Sequence, residues 1–167
     1  METLRIALTF TLGHEGGKVD DPTDPGGRTA YGITQSTYND YLAEKGLSGD
    51  VFDITQEEVL TIYRDRYWKP IHGDRLKPEL AIVLFDTAVN FGVKGATEFL
   101  QDALRITQDG QWGAQTDSAV SRCDQSLTAV HIVALRIDYR FTQAQRFWLG
   151  WVRRDVALLE KVKEAIL

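Results

Sequence analysis

Gly13-His14-Glu15-Gly16-Gly17-Lys18-Val19-Asp20-Asp21-Pro22-Thr23-Asp24-Pro25-Gly26-Gly27-Arg28-Thr29-Ala30-Tyr31-Gly32-Ile33-Thr34 is the stretch on which the reading of this 167-residue chain turns. It marks the change from an apolar helical segment to a polar loop. Upstream, Leu4, Leu8, Leu12 and Glu15 recur at helical spacing on one face. Gly16-Gly17 then stops the helix. Residues 18–33 are dense in Asp, Pro and Gly, so they form an irregular loop. Arg28-Thr29-Ala30-Tyr31 can be extended, which allows one short hairpin.

Helical signals continue outward from this loop. A helix is expected from about Gln35 to Lys45, ending at Gly46. Thr55-Gln56-Glu57-Glu58 has the form of a capping box and opens a helix through Ile62, Tyr63 and Tyr67. Pro78 suits the first turn of a helix carrying Leu80, Val83, Leu84, Ala88 and Phe91. Gly92 and Gly95 bracket a break before a helix over 96–104. Asp109-Gly110-Gln111-Trp112-Gly113 is a turn signal. Further helices are expected over 115–122, 127–147 and 152–166. No useful segment alternates with a period of two, so the fold class is mostly α. A soft division falls near Leu76-Lys77-Pro78. It gives parts 1–80 and 81–167, packed as one compact unit.

Apolar residues make up 43% and charged residues 26%, an ordinary soluble composition. No apolar run approaches the roughly eighteen residues of a membrane span, so stable membrane insertion is not expected. Met1-Glu2-Thr3-Leu4-Arg5 does not read as a secretory signal. One cysteine, Cys123, excludes an internal disulfide framework and reads as an unreactive thiol. The net charge of −5 argues against a nucleic-acid partner. Residues 1–114 carry a net of −7 and residues 115–167 a net of +2. The arginines between Arg136 and Arg154 read as a solvated helix face.

Glu15 breaks local rules twice. It lies at a helix C-terminus, where the macrodipole disfavours a carboxylate, and on an apolar stripe. Both effects favour the neutral acid, the form a proton donor needs. A frayed, solvated glutamate is the other reading. Asp20, Asp21 and Asp24 follow on a loop stiffened by Pro22 and Pro25. An acid facing an ionised carboxylate is the arrangement that cleaves glycosidic bonds; the aspartates read equally as turn formers. Calcium-loop spacing is missing, and His14-Glu15 is not a zinc-protease motif. Sugar faces stack on half-exposed aromatics, for which Tyr31, Tyr67, Trp68 and Trp112 are candidates. Trp148 and Trp151 read as helix anchors. Asp86 and Asn90, one helical turn apart, are placed to brace the loop from below or to cap nearby backbone.

Two groups of residues resemble a known family. Glu15-Gly16-Gly17 followed by Asp21-Pro22-x-Asp24-x-Gly26-Gly27-x-Thr29-x-x-Gly32-Ile33-Thr34 is similar to the N-terminal signature of glycoside hydrolase family 108, the N-acetylmuramidases of phage endolysins and lysozyme-like proteins. Tyr63-x-x-x-Tyr67-Trp68-x-Pro70 and Phe85-Asp86-x-Ala88-Val89-Asn90-x-Gly92 also match it. From about Ala81 the chain resembles the accompanying peptidoglycan-binding module, with Phe99-Leu100-Gln101 and Asp109-Gly110-x-Trp112-Gly113-x-x-Thr116 in place.

The resemblance implies a lysozyme-like helical fold and cleavage of the β-1,4 bond between N-acetylmuramic acid and N-acetylglucosamine. It implies Glu15 as catalytic acid and leaves Asp20, Asp21 and Asp24 open as the second carboxylate, with Asp24, or else Asp20, preferred. Thr29, Tyr31, Trp68 and Asn90 are then substrate-binding candidates. The glycan strands of peptidoglycan are the partner, and the chemistry needs no metal or cofactor. A lytic transglycosylase and a non-catalytic binding or secretion-accessory protein are the alternatives. The expected route is cytoplasmic synthesis, release by a holin or secretion system, and action on the periplasmic or extracellular wall.

Overall fold

The computed structural model describes residues 2–14, 18–20, 27–142 and 148–166. Among these residues the chain forms seven α-helices and one small antiparallel sheet, a mostly α fold. Helix α1 (Glu2–Gly13) buries Leu4, Ala7, Leu8, Phe10 and Thr11. Strands β1 (Val19–Asp20), β2 (Arg28–Ala30) and β3 (Ile33–Thr34) follow in sheet order β1-β2-β3. Val19 pairs with Thr29, and Ala30 pairs with Ile33. Tyr31 and Gly32 join β2 to β3 with φ of 52° and 71°. Positive φ at both central residues is the mark of a two-residue hairpin turn that matches strand twist. Glycine takes it freely, whereas Tyr31 must be held there.

Helix α2 (Gln35–Ala43) starts on Thr34, whose side chain accepts from the Thr37 N–H. Helix α3 (Gln56–Tyr63) opens on the expected capping box. The Thr55 hydroxyl accepts from the Glu58 N–H at 3.3 Å, and the Glu58 carboxylate accepts from the Thr55 N–H at 2.9 Å. Such a cap contributes about 1 kcal/mol. A π-turn over Arg64–Trp68 continues α3.

That turn corrects the reading of Trp68, which is 1% exposed and cannot stack on a sugar. In a regular α-helix a residue five beyond buried Tyr63 points well away from it. The wider π-turn, closed by the Lys69 N–H on the Arg64 carbonyl, brings Trp68 back to the inner face. Its indole N–H donates to Asp74 at 2.9 Å, and its ring meets Phe85 edge-on. Gly73 packs under the indole, where a Cβ would collide.

Helix α4 (Pro78–Ala103) is the axis of the molecule, packed against α1, α6 and α7. Residues 79–88 are all buried, and the helix kinks at Gly92, with φ of 76°. The expected break is therefore this kink, across which the helix continues through Gly95. By length and hydropathy α4 could cross a membrane; here most of its apolar residues are packed inside the protein. The 80/81 division falls within its first turn.

Helices α5 (Ala114–Arg122), α6 (Gln125–Phe141) and α7 (Trp148–Ile166) complete the bundle. Gln101, 2% exposed, anchors the loop between α4 and α5. Its amide nitrogen reaches Asp109, the Gln111 carbonyl and Thr116, and its oxygen accepts from the Gly110 N–H. Trp112 donates to Asp117 and its ring lies 4.8 Å from His72. The second group of motif residues therefore braces a loop.

Candidate active site

The candidate residues from the sequence cluster around the end of α1 and the sheet that follows it. Glu15 and Asp24 lie outside the described residues. Thr11, four residues before Glu15 in sequence, is fully buried and its hydroxyl donates to Asp86 at 3.0 Å. This bond fastens the end of α1 to the middle of α4.

Asp86 belongs to a buried ionic cluster. Its carboxylate accepts from Arg136 at 2.9 Å and from Arg154 at 2.7 Å. Arg136 also reaches Asp155 at 2.7 Å and Thr87 at 3.0 Å. Asp155 in turn pairs with Arg140. Burial alone pushes the Asp86 carboxyl up, but the Arg136 and Arg154 guanidiniums outweigh it and hold the group below the usual carboxylate range. The solvated face expected between Arg136 and Arg154 is thus corrected. Arg136, Arg140 and Arg154 are buried, drawn inward by two carboxylates. The signal was available on α6. Ala129, Ile132 and Val133 form its buried stripe, and Arg136 and Arg140 continue the same spacing. On α7, Arg154, Leu158 and Val162 do likewise.

Asn90 extends from this cluster and its amide donates to the Asp86 carbonyl at 2.7 Å. It lines a shallow groove of about 270 Å³ with Phe91, Tyr139, Arg140 and Trp151. Among the other candidates, Asp20, Thr29 and Tyr31 share the hairpin region. Asp20 is exposed on β1, 3.5 Å from the Arg28 guanidinium. Arg28 also pairs with Asp50 at 2.5 Å and lies 4.1 Å over the Phe52 ring. Half-buried Thr29 donates to the Gly27 carbonyl at 3.4 Å. The Tyr31 carbonyl accepts from the Tyr63 hydroxyl at 2.9 Å, which holds the left-handed turn residue in place. The structure therefore gathers three candidates on the small sheet, sets Asn90 beside the anchor of α1, and removes Trp68 to the core.

The sequence profile of glycosyl hydrolase family 108 matches residues 8–92, a span holding Glu15, all three loop aspartates and Asn90. The chain belongs to that family. Membership in family 108 makes it a glycoside hydrolase, and the match ends at the Gly92 kink. The fold is also that of SagA from Brucella abortus, at a TM-score of 0.79 and 28% identity over 98% of this chain and 95% of that one. The lysozyme-like, mostly α reading holds. No curated protein matches the sequence.

Proposed function

We propose that the chain is an N-acetylmuramidase that cleaves the β-1,4 bond between N-acetylmuramic acid and N-acetylglucosamine in peptidoglycan. Family membership and the fold shared with SagA support a peptidoglycan-degrading glycosidase. The observation that carries the finer reading is the family match running continuously through Glu15 and the aspartate loop. In this reading Glu15 donates a proton to the leaving glycosidic oxygen. Asp24, or Asp20, is the ionised partner that activates water or stabilises the oxocarbenium-like state. Thr29 and Tyr31 shape the loop side of the groove, and Asn90 contributes from α4. Residues 81–167 supply the wall-binding surface, and a holin or secretion system delivers the enzyme to its substrate.

The test uses purified peptidoglycan with wild type and Glu15→Gln, the soluble products being read by mass spectrometry. Wild type releases fragments with reducing muramic acid ends, and the variant loses at least a hundredfold in rate. Anhydro-muramic ends would assign a lytic transglycosylase. Wall binding without release would assign a non-catalytic accessory protein.

A further inference from the structure

A side-chain-lined hollow away from the aspartate loop lies beyond the Gly92 kink. It is a cavity of about 460 Å³ between the second half of α4 and the end of α6. This volume suits a small organic group. Three aromatic rings line it. Phe91, Phe99 and Tyr139 meet edge-to-face, with centroids 5.0 to 6.0 Å apart and interplanar angles of 67° to 86°. The Gly92 kink lies between Phe91 and Phe99 on α4. Tyr139 is 45% exposed, so the aromatic wall is open to solvent.

Three carboxylates, Glu98, Asp102 and Asp138, line the same cavity. Glu98 makes only a loose, exposed pair with Lys94 at 3.6 Å. The carboxylates of Asp102 and Asp138 make no hydrogen bond or ion pair among the described residues. No arginine or lysine is among the described lining residues. The nearest buried cations, Arg136 and Arg140, lie 5.6 and 5.3 Å from the Phe91 centroid. Asp86 and Asp155 already meet their charge.

Aromatic faces attract cations through the ring quadrupole. Unpartnered carboxylates add direct charge attraction, and rings supply apolar contact for a methylene stem. We propose that this cavity binds an organic ammonium group, which in the wall is the free side-chain amine of a diamino acid in a peptidoglycan stem peptide. The ammonium chemistry follows from the cavity itself; its source rests on the peptidoglycan reading above. The second half of α4 then grips the peptide while the aspartate loop works on the glycan.

The test is a nuclear magnetic resonance titration of the full chain carrying Glu15→Gln, so that nothing turns over. The probes are Nα-acetyl-lysine methylamide and its Nε-acetylated counterpart. The free amine shifts backbone signals of residues 91–102 and 135–142 in a saturable way, and acetylation weakens this at least tenfold. The Asp102→Asn/Asp138→Asn double variant, nearly isosteric and at the surface, loses the response while keeping its circular dichroism. Equal binding of both probes, no saturable shift, or full binding by the double variant overturns the proposal. Hydrolysis of native and amine-acetylated peptidoglycan by the Glu15-intact enzyme is measured in parallel. Acetylation raises KM severalfold at constant kcat; an unchanged KM counts against the assignment of the source. Hydrolysis without amine binding sinks this inference alone, and amine binding without hydrolysis sinks only the muramidase reading.

Discussion

Removing the indole of Trp68 leaves a hole bounded by Phe85 and Gly73 and strips Asp74 of its donor. Trp68→Ala is expected to cost about 3–5 kcal/mol, read as a shift in the urea midpoint. A sugar platform would behave differently, raising KM with stability unchanged. Tyr63→Phe removes the hydroxyl that holds the Tyr31 carbonyl. It costs about 0.5–1.5 kcal/mol and lowers kcat/KM, because the hairpin turn loses its support; unchanged kinetics would dissociate that turn from the site. At this scale the candidate site was partly legible: the extended Arg28-Thr29-Ala30 segment forms the expected hairpin strand. Glu15, singled out in the sequence by its conflict with helix end and apolar stripe, lies outside the described residues. Trp68 misleads because a proline two residues on suggests a ragged, exposed helix end. Nothing in the local pattern announces a π-turn.

At the scale of elements, helix starts were readable wherever side chains fix them. Thr55 with Glu58, Thr34 and Pro78 each satisfy or remove orphan N–H groups locally. The packing of α4, α6 and α7 was not readable, because pairing among arginines and aspartates fifteen to sixty-eight residues apart has no local signal. Those pairs also fix a pH dependence. Asp86 is ionised in the folded protein at pH values where the unfolded chain would bind a proton. Its contribution is complete above the unfolded carboxylate pKa of about 3.9. It is lost as pH falls through the lower folded value. Thermal melts of wild type from pH 6 to 2.5 should fall steeply at the acid end. Asp86→Asn is less stable throughout, by about 3–5 kcal/mol at neutral pH, and its acid slope is shallower. Parallel curves would remove Asp86 from the account.

For the whole molecule, α4 serves both the sheet-bearing part and the helical part. A fragment ending at residue 103 keeps α1 and α4 but exposes the face that α6 and α7 cover and leaves Asp86 without its arginines. It is expected to lack cooperative unfolding and dispersed amide signals. A well-folded, active fragment would show that residues 104–167 are dispensable. Mostly helical character was visible from the absence of period-two segments. The central place of α4 was not, because its apolar run reads the same whether it lies at an edge or at the axis.

The ionic cluster also restricts how this sequence can drift. Asp86, Arg136, Arg140, Arg154 and Asp155 lie on three helices and are joined within one interior. Losing one partner strands the charge of another, at about 3–5 kcal/mol against a total stability on the order of 5–15 kcal/mol. Single steps away from the set are therefore steep, and their effects do not add. The five positions can be exchanged for an apolar core only together, so they pass from ancestor to descendant as one heritable unit.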